Sequence, residues 1–304
     1  MHGSETIVAA GARPDLRAFL QLLKPITWFP PMWAFACGVV SAGTAVREQP
    51  LALVAGVVLA GPLVCGASQV VNDWFDRHVD AINEPQRPIP SGRVPGRSGL
   101  YFAIVWSLLA LPLAWALGPA VFWATLLGLL LAWAYSAPPA RLKLNGWWGN
   151  AACGFAYEGL AWVTGAAVML GGQLPPATVL LLALLYSLGA HGIMTLNDFK
   201  AIEGDRQLGV RTIPVQLGPE RAARLACLVM ALPQLAVIAL LAGWGRPWYA
   251  VAIVVLLLLQ GLAMKRMLTD PRGLAPWYNG TGVTLYVLGM MISAVAVRDL
   301  GGLP

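Results

Sequence analysis

Two stretches of the chain repeat one arrangement of amide and acid. Asn72 and Asp73 are followed by Asp80, and 125 residues later Asn197 and Asp198 are followed by Asp205 at the same spacing. Arg87, Ile89 and Pro90 are echoed by Arg211, Ile213 and Pro214 at an offset of 124. In the first copy Asp76 completes a series at i, i+3 and i+7, which on a helix turns three carboxylates to one face. Crowded carboxylates raise one another's pKa unless a cation lies among them. Such oxygen donors suit Mg²⁺, which keeps water and substrate phosphate in its other positions. The expected metal ligands are Asn72, Asp73, Asp76, Asp80, Asn197, Asp198 and Asp205, with the five aspartates as the catalytic acids. Ala201 takes the middle position of the second copy and Glu203 lies nearby, which predicts a weaker or asymmetric half-site. Seven of the 14 acids fall in these two segments, a concentration that two solvated helix ends with Asp–Arg pairs do not explain.

Bases surround the acids. Arg77, Arg87, Lys200, Arg206 and Arg211 flank them, and Arg141 and Lys143 follow the run Tyr135-Ser136-Ala137-Pro138-Pro139. Arginine grips phosphate with two parallel hydrogen bonds and lysine acts as a point charge. These seven are the expected diphosphate ligands, and other Lys and Arg mark topology.

The elements that must position these groups are membrane helices. Apolar residues make up 58% of the chain and charged residues 11%, with a mean hydropathy of +0.67, against roughly 45–50% and about 25% in soluble proteins. Nine stretches approach the roughly 17–25 residues that cross a bilayer as helix: 26–45, 51–71, 100–117, 120–135, 148–170, 177–196, 225–242, 248–264 and 280–297. The fold expected is all-α and polytopic. Of 20 Lys and Arg, 17 fall on one side of this arrangement. The positive-inside rule makes that side cytoplasmic, together with the N-terminus and the acidic loops, and puts the C-terminus across an inner (cytoplasmic or intracytoplasmic) membrane.

The acidic motifs close the second and sixth spans, so the repeat unit is four helices and both copies return to the same face. The expectation is two parallel four-helix repeats, at about 50–135 and 175–265, around a central cavity within one domain (13–304), preceded by a mobile tail at 1–12. The net charge of +6 is spread over loops with no basic stripe, which argues against nucleic acid. Cys37, Cys65, Cys153 and Cys227 lack C-x-x-C spacing and read as packing residues.

Asn72, Asp73, Asp76 and Asp80 form N-D-x-x-D-x-x-x-D, and at these residues the chain resembles the UbiA-type intramembrane prenyltransferases, whose hallmark is this motif plus a second acidic one. The resemblance extends over the whole layout. Leu23 to Ala34, Asn72 to Gly92, and Asn197 through Asp205-Arg206 to Gly218 look most like the chlorophyll and bacteriochlorophyll synthase branch. Tyr157 to Leu160 and Trp277 to Gly282 look more like its bacteriochlorophyll side.

That resemblance implies transfer of a geranylgeranyl or phytyl group from its diphosphate to the propionate of bacteriochlorophyllide a, with Mg²⁺ as cofactor and membrane lipid as the medium; it leaves protein partners open. A propionate is already ionised at neutral pH, by analogy with Glu at about 4.3, so no general base is needed. The site needs positioning, cation stabilisation and dryness. Ser68, four residues before Asn72, and Tyr135 are expected to contact the prenyl chain or the developing cation. Glu158, inside an apolar span, is either a hydrogen-bond partner of the tetrapyrrole or a protonated helix contact. His191 and His78 are either tetrapyrrole contacts, His191 as an axial ligand to its Mg, or ordinary packing. Competing acceptors are chlorophyllide and a quinone precursor. A secondary transporter is the non-enzyme alternative, but its polar sites belong near the midplane at broken helices.

Overall fold

A computed structural model describes residues 15–300. The expected mobile tail at 1–12 lies outside these residues. Every element among them is helical, apart from one isolated bridge pairing Asn145 with Arg211. A short α1 (Leu16–Leu22) leads into α2 (Phe29–Ser41), α3 (Pro50–Asn83), α4 (Ser98–Ala116) and α5 (Pro119–Ser136). Helix α6 consists of three consecutive elements, Gly146–Gly154, Phe155–Leu160 and Ala161–Met169. It is followed by α7 (Ala177–Asn197), α8 (Pro219–Gly243), α9 (Pro247–Met267) and α10 (Pro271–Val297).

The helix starts are written locally. Proline opens α3, α5, α8, α9 and α10, where its missing N–H costs nothing and its fixed φ is already helical. Asn145 caps α6 by accepting the Trp147 N–H at 2.9 Å, and Asp270 caps α10 by accepting the Gly273 N–H at 3.1 Å.

Seven helices, α3 to α5 and α7 to α10, are long and apolar enough to cross a membrane. The other two of the nine expected spans, on α2 and α6, are helical but do not reach that length and apolarity. Within 26–45 the prolines delay the helix, giving a 3₁₀ turn at Pro25–Trp28 and a 13-residue α2. The span at 148–170 is interrupted by the π-helical Phe155–Leu160. Conversely, α3 overruns its expected end at 71 and carries the whole first acidic motif within regular helix to Asn83.

Close approach rather than apolar attraction joins helices in lipid. Gly38 of α2 lies against the backbone of Trp162 and Ala166 in α6, and Gly165 returns the contact against Phe35, with no room for a Cβ at either position. Buried polar groups bridge α7 to α10. Gln234 donates to Gln260 Oε1 at 2.7 Å, and Gln260 donates to the Gly282 carbonyl at 2.7 Å, linking α8, α9 and α10. Tyr286 donates to the Tyr186 carbonyl at 2.7 Å, and the Tyr186 hydroxyl meets Ser293 Oγ at 2.8 Å.

Two π-helical stretches shape the interior of the bundle. One, Leu59–Cys65, lies within α3 and contains Pro62, which has no N–H to close an ordinary turn. The other is the middle of α6. Such wide turns are rare and concentrate at functional sites, and these two contribute to the walls of one cavity.

Candidate active site

The acidic face of α3 is matched by bases arriving from three other segments. Lys24, from the turn before α2, places Nζ 2.5 Å from Asp73 Oδ1. Arg87, from the loop after α3, reaches Asp80 Oδ2 at 2.9 Å and Asp73 Oδ1 at 3.4 Å, and also pairs with Glu84. Lys143, from the α5–α6 connection, pairs with Asp76. Asn72 Nδ2 donates to Asp76 Oδ2 at 2.9 Å and approaches Ser136 Oγ at 3.4 Å. Burial pulls the Arg87 pKa down, but Asp73, Asp80 and Glu84 outweigh it and hold the guanidinium above its ordinary value. The Asp73 side chain is only 3% exposed. Removing one partner of such a buried pair leaves an uncompensated charge, at a cost of about 3–5 kcal/mol.

The second acidic segment is built differently. Helix α7 stops at Asn197, Asp198–Ala201 forms a 3₁₀ turn, and Ile202–Gln207 is a separate short helix. Asp198 and Asp205 therefore do not share one face of a continuous α-helix. Asp198 Oδ2 accepts from Asn150 Nδ2 at 3.3 Å, and Asp205 Oδ2 accepts from Thr212 Oγ1 at 3.3 Å. Among the described residues neither is ion-paired. Asn197 Oδ1 accepts from Asn279 Nδ2 at 2.8 Å. One half of the site is thus saturated with bases and the other holds only neutral donors.

The backbone ties the halves together. Gly146 N–H donates to the Arg211 carbonyl at 2.8 Å, and Arg211 N–H donates to the Leu144 carbonyl at 2.9 Å. The loop that sends Lys143 to Asp76 is consequently strapped to the segment in which Thr212 holds Asp205. Both acidic segments lie at one end of the bundle.

Not every expected base is drawn in. Arg77 donates to the Trp74 carbonyl at 2.7 Å and lies 4.1 Å over the Trp74 ring, a cation–π contact away from the acids. Arg206 pairs with Glu203 at 3.0 Å, and Arg272 reaches the same carboxylate at 3.2 Å. Lys200 and Arg211 are exposed, Arg211 holding its place through its backbone. Arg141 sits in the left-handed region at φ 38° with its Nε buried and unpartnered.

Below the acids lies a largely apolar cavity of about 260 Å³. Asn72, Ser68, Tyr135 and Met194 line it, and its wall on α3 continues to Leu59. Asn72 lies 13 positions beyond Leu59, which corresponds to roughly 20 Å of depth at about 1.5 Å per residue. Tyr157 enters from the π-helical part of α6, its hydroxyl 3.2 Å from Ser68 Oγ and accepting from Gln69 Nε2 at 2.9 Å. Of the expected tetrapyrrole contacts, His78 is exposed and His191 Nε2 donates to the Trp147 carbonyl at 3.2 Å. Glu158 is buried away from the cavity lining, with Oε2 unpartnered.

Lys24, Asn150 and Gln69 were not among the expected site residues. Asn150 and Gln69 carried a signal, since each is an amide inside an apolar stretch, where a polar group needs a partner. Lys24 lies 49 residues from Asp73 and nothing in its local pattern sets it apart from other cytoplasmic-side bases.

For a cation, the donor chemistry fits. The carboxylates of the first motif share one helix face, and Asp198 and Asp205 have no competing base. Among the described residues no three His, Cys, Asp or Glu converge closely enough to hold an ion by themselves. Mg²⁺ needs no all-protein cage, because one or two carboxylates and substrate phosphate oxygens complete its shell.

Paired acidic segments at one end of a helical membrane bundle, above an apolar cavity, fit an intramembrane enzyme whose substrate joins a charged head to an apolar tail. The chain belongs to the UbiA prenyltransferase family, whose profile matches residues 27–295. The bacteriochlorophyll synthase 33 kDa chain of Cereibacter sphaeroides is 60% identical over 292 residues, covering 96% of each chain. The protein of the same name from Rhodobacter capsulatus is 58% identical over 287 residues, 94% of each. A solved UbiA homologue from Archaeoglobus fulgidus, bound to DMAPP and Mg²⁺, shares the fold with a TM-score of 0.70 at 20% identity, over 93% of this chain and 99% of that one.

Proposed function

We propose that this prenyltransferase esterifies bacteriochlorophyllide a, moving a geranylgeranyl or phytyl group from its diphosphate to the propionate side chain. The observation that carries the reading is continuity: the cavity that can take an apolar chain begins at Asn72, on the helix that bears Asp73, Asp76 and Asp80. The chain is cleaved from its diphosphate where charge can be neutralised and lies where water is scarce. The two relatives' names supply the acceptor.

The carbon–oxygen bond to diphosphate breaks, its electron pair leaves with the diphosphate, and a propionate oxygen forms the new bond to the allylic carbon. Asn72, Asp73, Asp76, Asp80, Asn197, Asp198 and Asp205 would hold Mg²⁺, and a bound ion there would supply Lewis-acid neutralisation of diphosphate charge. Lys24, Arg87 and Lys143 are already partly buried and oriented at the first motif. They move from carboxylate to phosphate oxygens without crossing bulk water, a preorganisation that favours the developing charge. Arg141 has an unused donor at the same end. Tyr135 and Tyr157 line the cavity and are aromatic groups of the kind that stabilise a cationic carbon. The acidic end faces the cytoplasm, in keeping with the loop charges.

The test is a competition in which purified protein receives Mg²⁺, bacteriochlorophyllide a and chlorophyllide a together, and each prenyl diphosphate in turn. Mass spectrometry should find mainly the bacteriochlorophyllide ester. Ester formed only on chlorophyllide would replace the acceptor, and none on either pigment would remove the tetrapyrrole reading.

A further inference from the structure

Two amides that belong to neither acidic motif hold the second acidic segment. Asn150, in the first part of α6, is 5% exposed, and its Nδ2 donates to both Thr195 Oγ1 and Asp198 Oδ2, each at 3.3 Å. Thr195 spends its own hydroxyl proton on the His191 carbonyl at 2.9 Å, so toward Asn150 it can only accept. The direction of each bond is thereby set, and both amide hydrogens of Asn150 are committed. Asp198 Oδ2 is held in place, while Oδ1 accepts nothing among the described residues.

Asn279, on α10, performs the same task for Asn197. Its Nδ2 donates to Asn197 Oδ1 at 2.8 Å, and its own Oδ1 is buried without a partner. Asn197 Nδ2 meets only Met194 Sδ, at 3.8 Å. Turning both amides over keeps one bond between them, gives Asn279 Oδ1 a donor and frees the Asn197 oxygen for a cation. Arg272, at the start of the same helix, reaches Glu203 at 3.2 Å, so α10 braces the segment at two points.

The first segment is held by charge instead. A cation approaching Asp73, Asp76 or Asp80 meets Lys24, Lys143 or Arg87 already in place, and like charges repel. Among the described residues neither Asp198 nor Asp205 has a base within ion-pair distance. Asn150 and Thr212 orient these two carboxylates as neutral donors and leave their charge intact. Outer partners of this kind fix ligating side chains and set metal affinity.

We propose that Asn150 and Asn279 are positioning residues that prepare Asp198 and Asn197 to take a divalent cation before the diphosphate donor arrives, while the first segment stays closed by its own bases. The inference rests on the two-segment site of the function proposed above. It reverses the order that Ala201 suggests in the sequence, where the second copy reads as the weaker half. One missing aspartate matters less than the absence of a competing base. A diphosphate that enters then meets positive charge already seated at one half, and its oxygens draw the bases off the other.

The test needs neither donor nor pigment. Mn²⁺, whose free form is read by electron paramagnetic resonance, is titrated into the purified full chain in nanodiscs of neutral lipid. The unaltered chain should bind a single ion, and Asp198→Asn should lose it. Asn150→Leu and Asn279→Leu keep the side-chain volume and remove the amide. Each should weaken the ion by about 10- to 100-fold, the range for losing an outer partner of a metal ligand. Asp76→Asn should leave its affinity unchanged. At saturating Mg²⁺ both leucine variants should bind geranylgeranyl diphosphate as the unaltered chain does, which a misfolded protein would not do. An ion lost in Asp76→Asn but kept in Asp198→Asn, unchanged affinity in both leucine variants, or no ion bound without donor would each overturn the proposal. Failure of the tetrapyrrole reading appears elsewhere, as absent ester in the pigment competition, with this titration unaffected.

Discussion

Lys143 is where the two halves of the site meet. Its ammonium pairs with Asp76, and the adjoining Leu144 carbonyl and Gly146 N–H are tied to Arg211. Asp76→Ala should lower turnover by at least about 10³-fold, near the upper range for losing one preorganised electrostatic group, with the protein still extracted from membranes in normal yield. Near-normal activity would remove Asp76 from the metal site. Lys143→Met should cost about 10²-fold, or ~2.7 kcal/mol, chiefly in kcat, because the base is spent on the departing diphosphate. A change confined to KM would instead assign it to ground-state binding. In the second segment Ala201→Asp should shift the Mg²⁺ titration, and an unchanged titration would argue against equivalence of the two halves. At this scale much was legible, because acids at i, i+3 and i+7 need only one helix to be brought together. The bases were not. Positive-inside charge and phosphate ligands look alike in sequence, so nothing local separates Lys24 and Arg87, which reach the acids, from Arg77, which folds onto Trp74.

Among the elements, the π-helical turns set the angular register of the site. A wide turn in α3 between Leu59 and Cys65 rotates everything after it, including the acidic face, relative to the cavity wall before it. Deleting one residue from this stretch restores α-helical register and should abolish diphosphate release while membrane yield stays within about twofold. Retained activity would show that register is set elsewhere. Gly38→Val makes a different prediction. Its side chain would meet the α6 backbone, so the loss should appear as stability, about 1–3 kcal/mol for overpacking, read as a lower melting temperature with donor affinity retained in the folded fraction. Apolar runs marked where these helices lie. They did not show that α6 is broken into three or that α2 is short, since π-turns and proline-delayed starts depend on neighbours as much as on composition.

Across the whole molecule, one end gathers charge and the interior beneath it is apolar. That polarity matches a substrate with a dianionic head and a hydrocarbon tail, and it separates this chain from a transporter, whose polar site sits midway. The offset between acidic segments already implied that both return to the same face, and the Leu144–Arg211 strap joins them there. How they are joined was not legible, because the strap is made of backbone atoms. In the proposed reaction the prenyl diphosphate is cleaved only against its tetrapyrrole acceptor, because water is excluded from the apolar cavity. Diphosphate release from geranylgeranyl diphosphate by the purified protein tests it directly, with and without Mg²⁺ and with and without bacteriochlorophyllide a. Release is predicted only when both are present, with one equivalent of prenyl ester formed for each diphosphate. Equal release without the pigment, or release with no ester, would contradict the account.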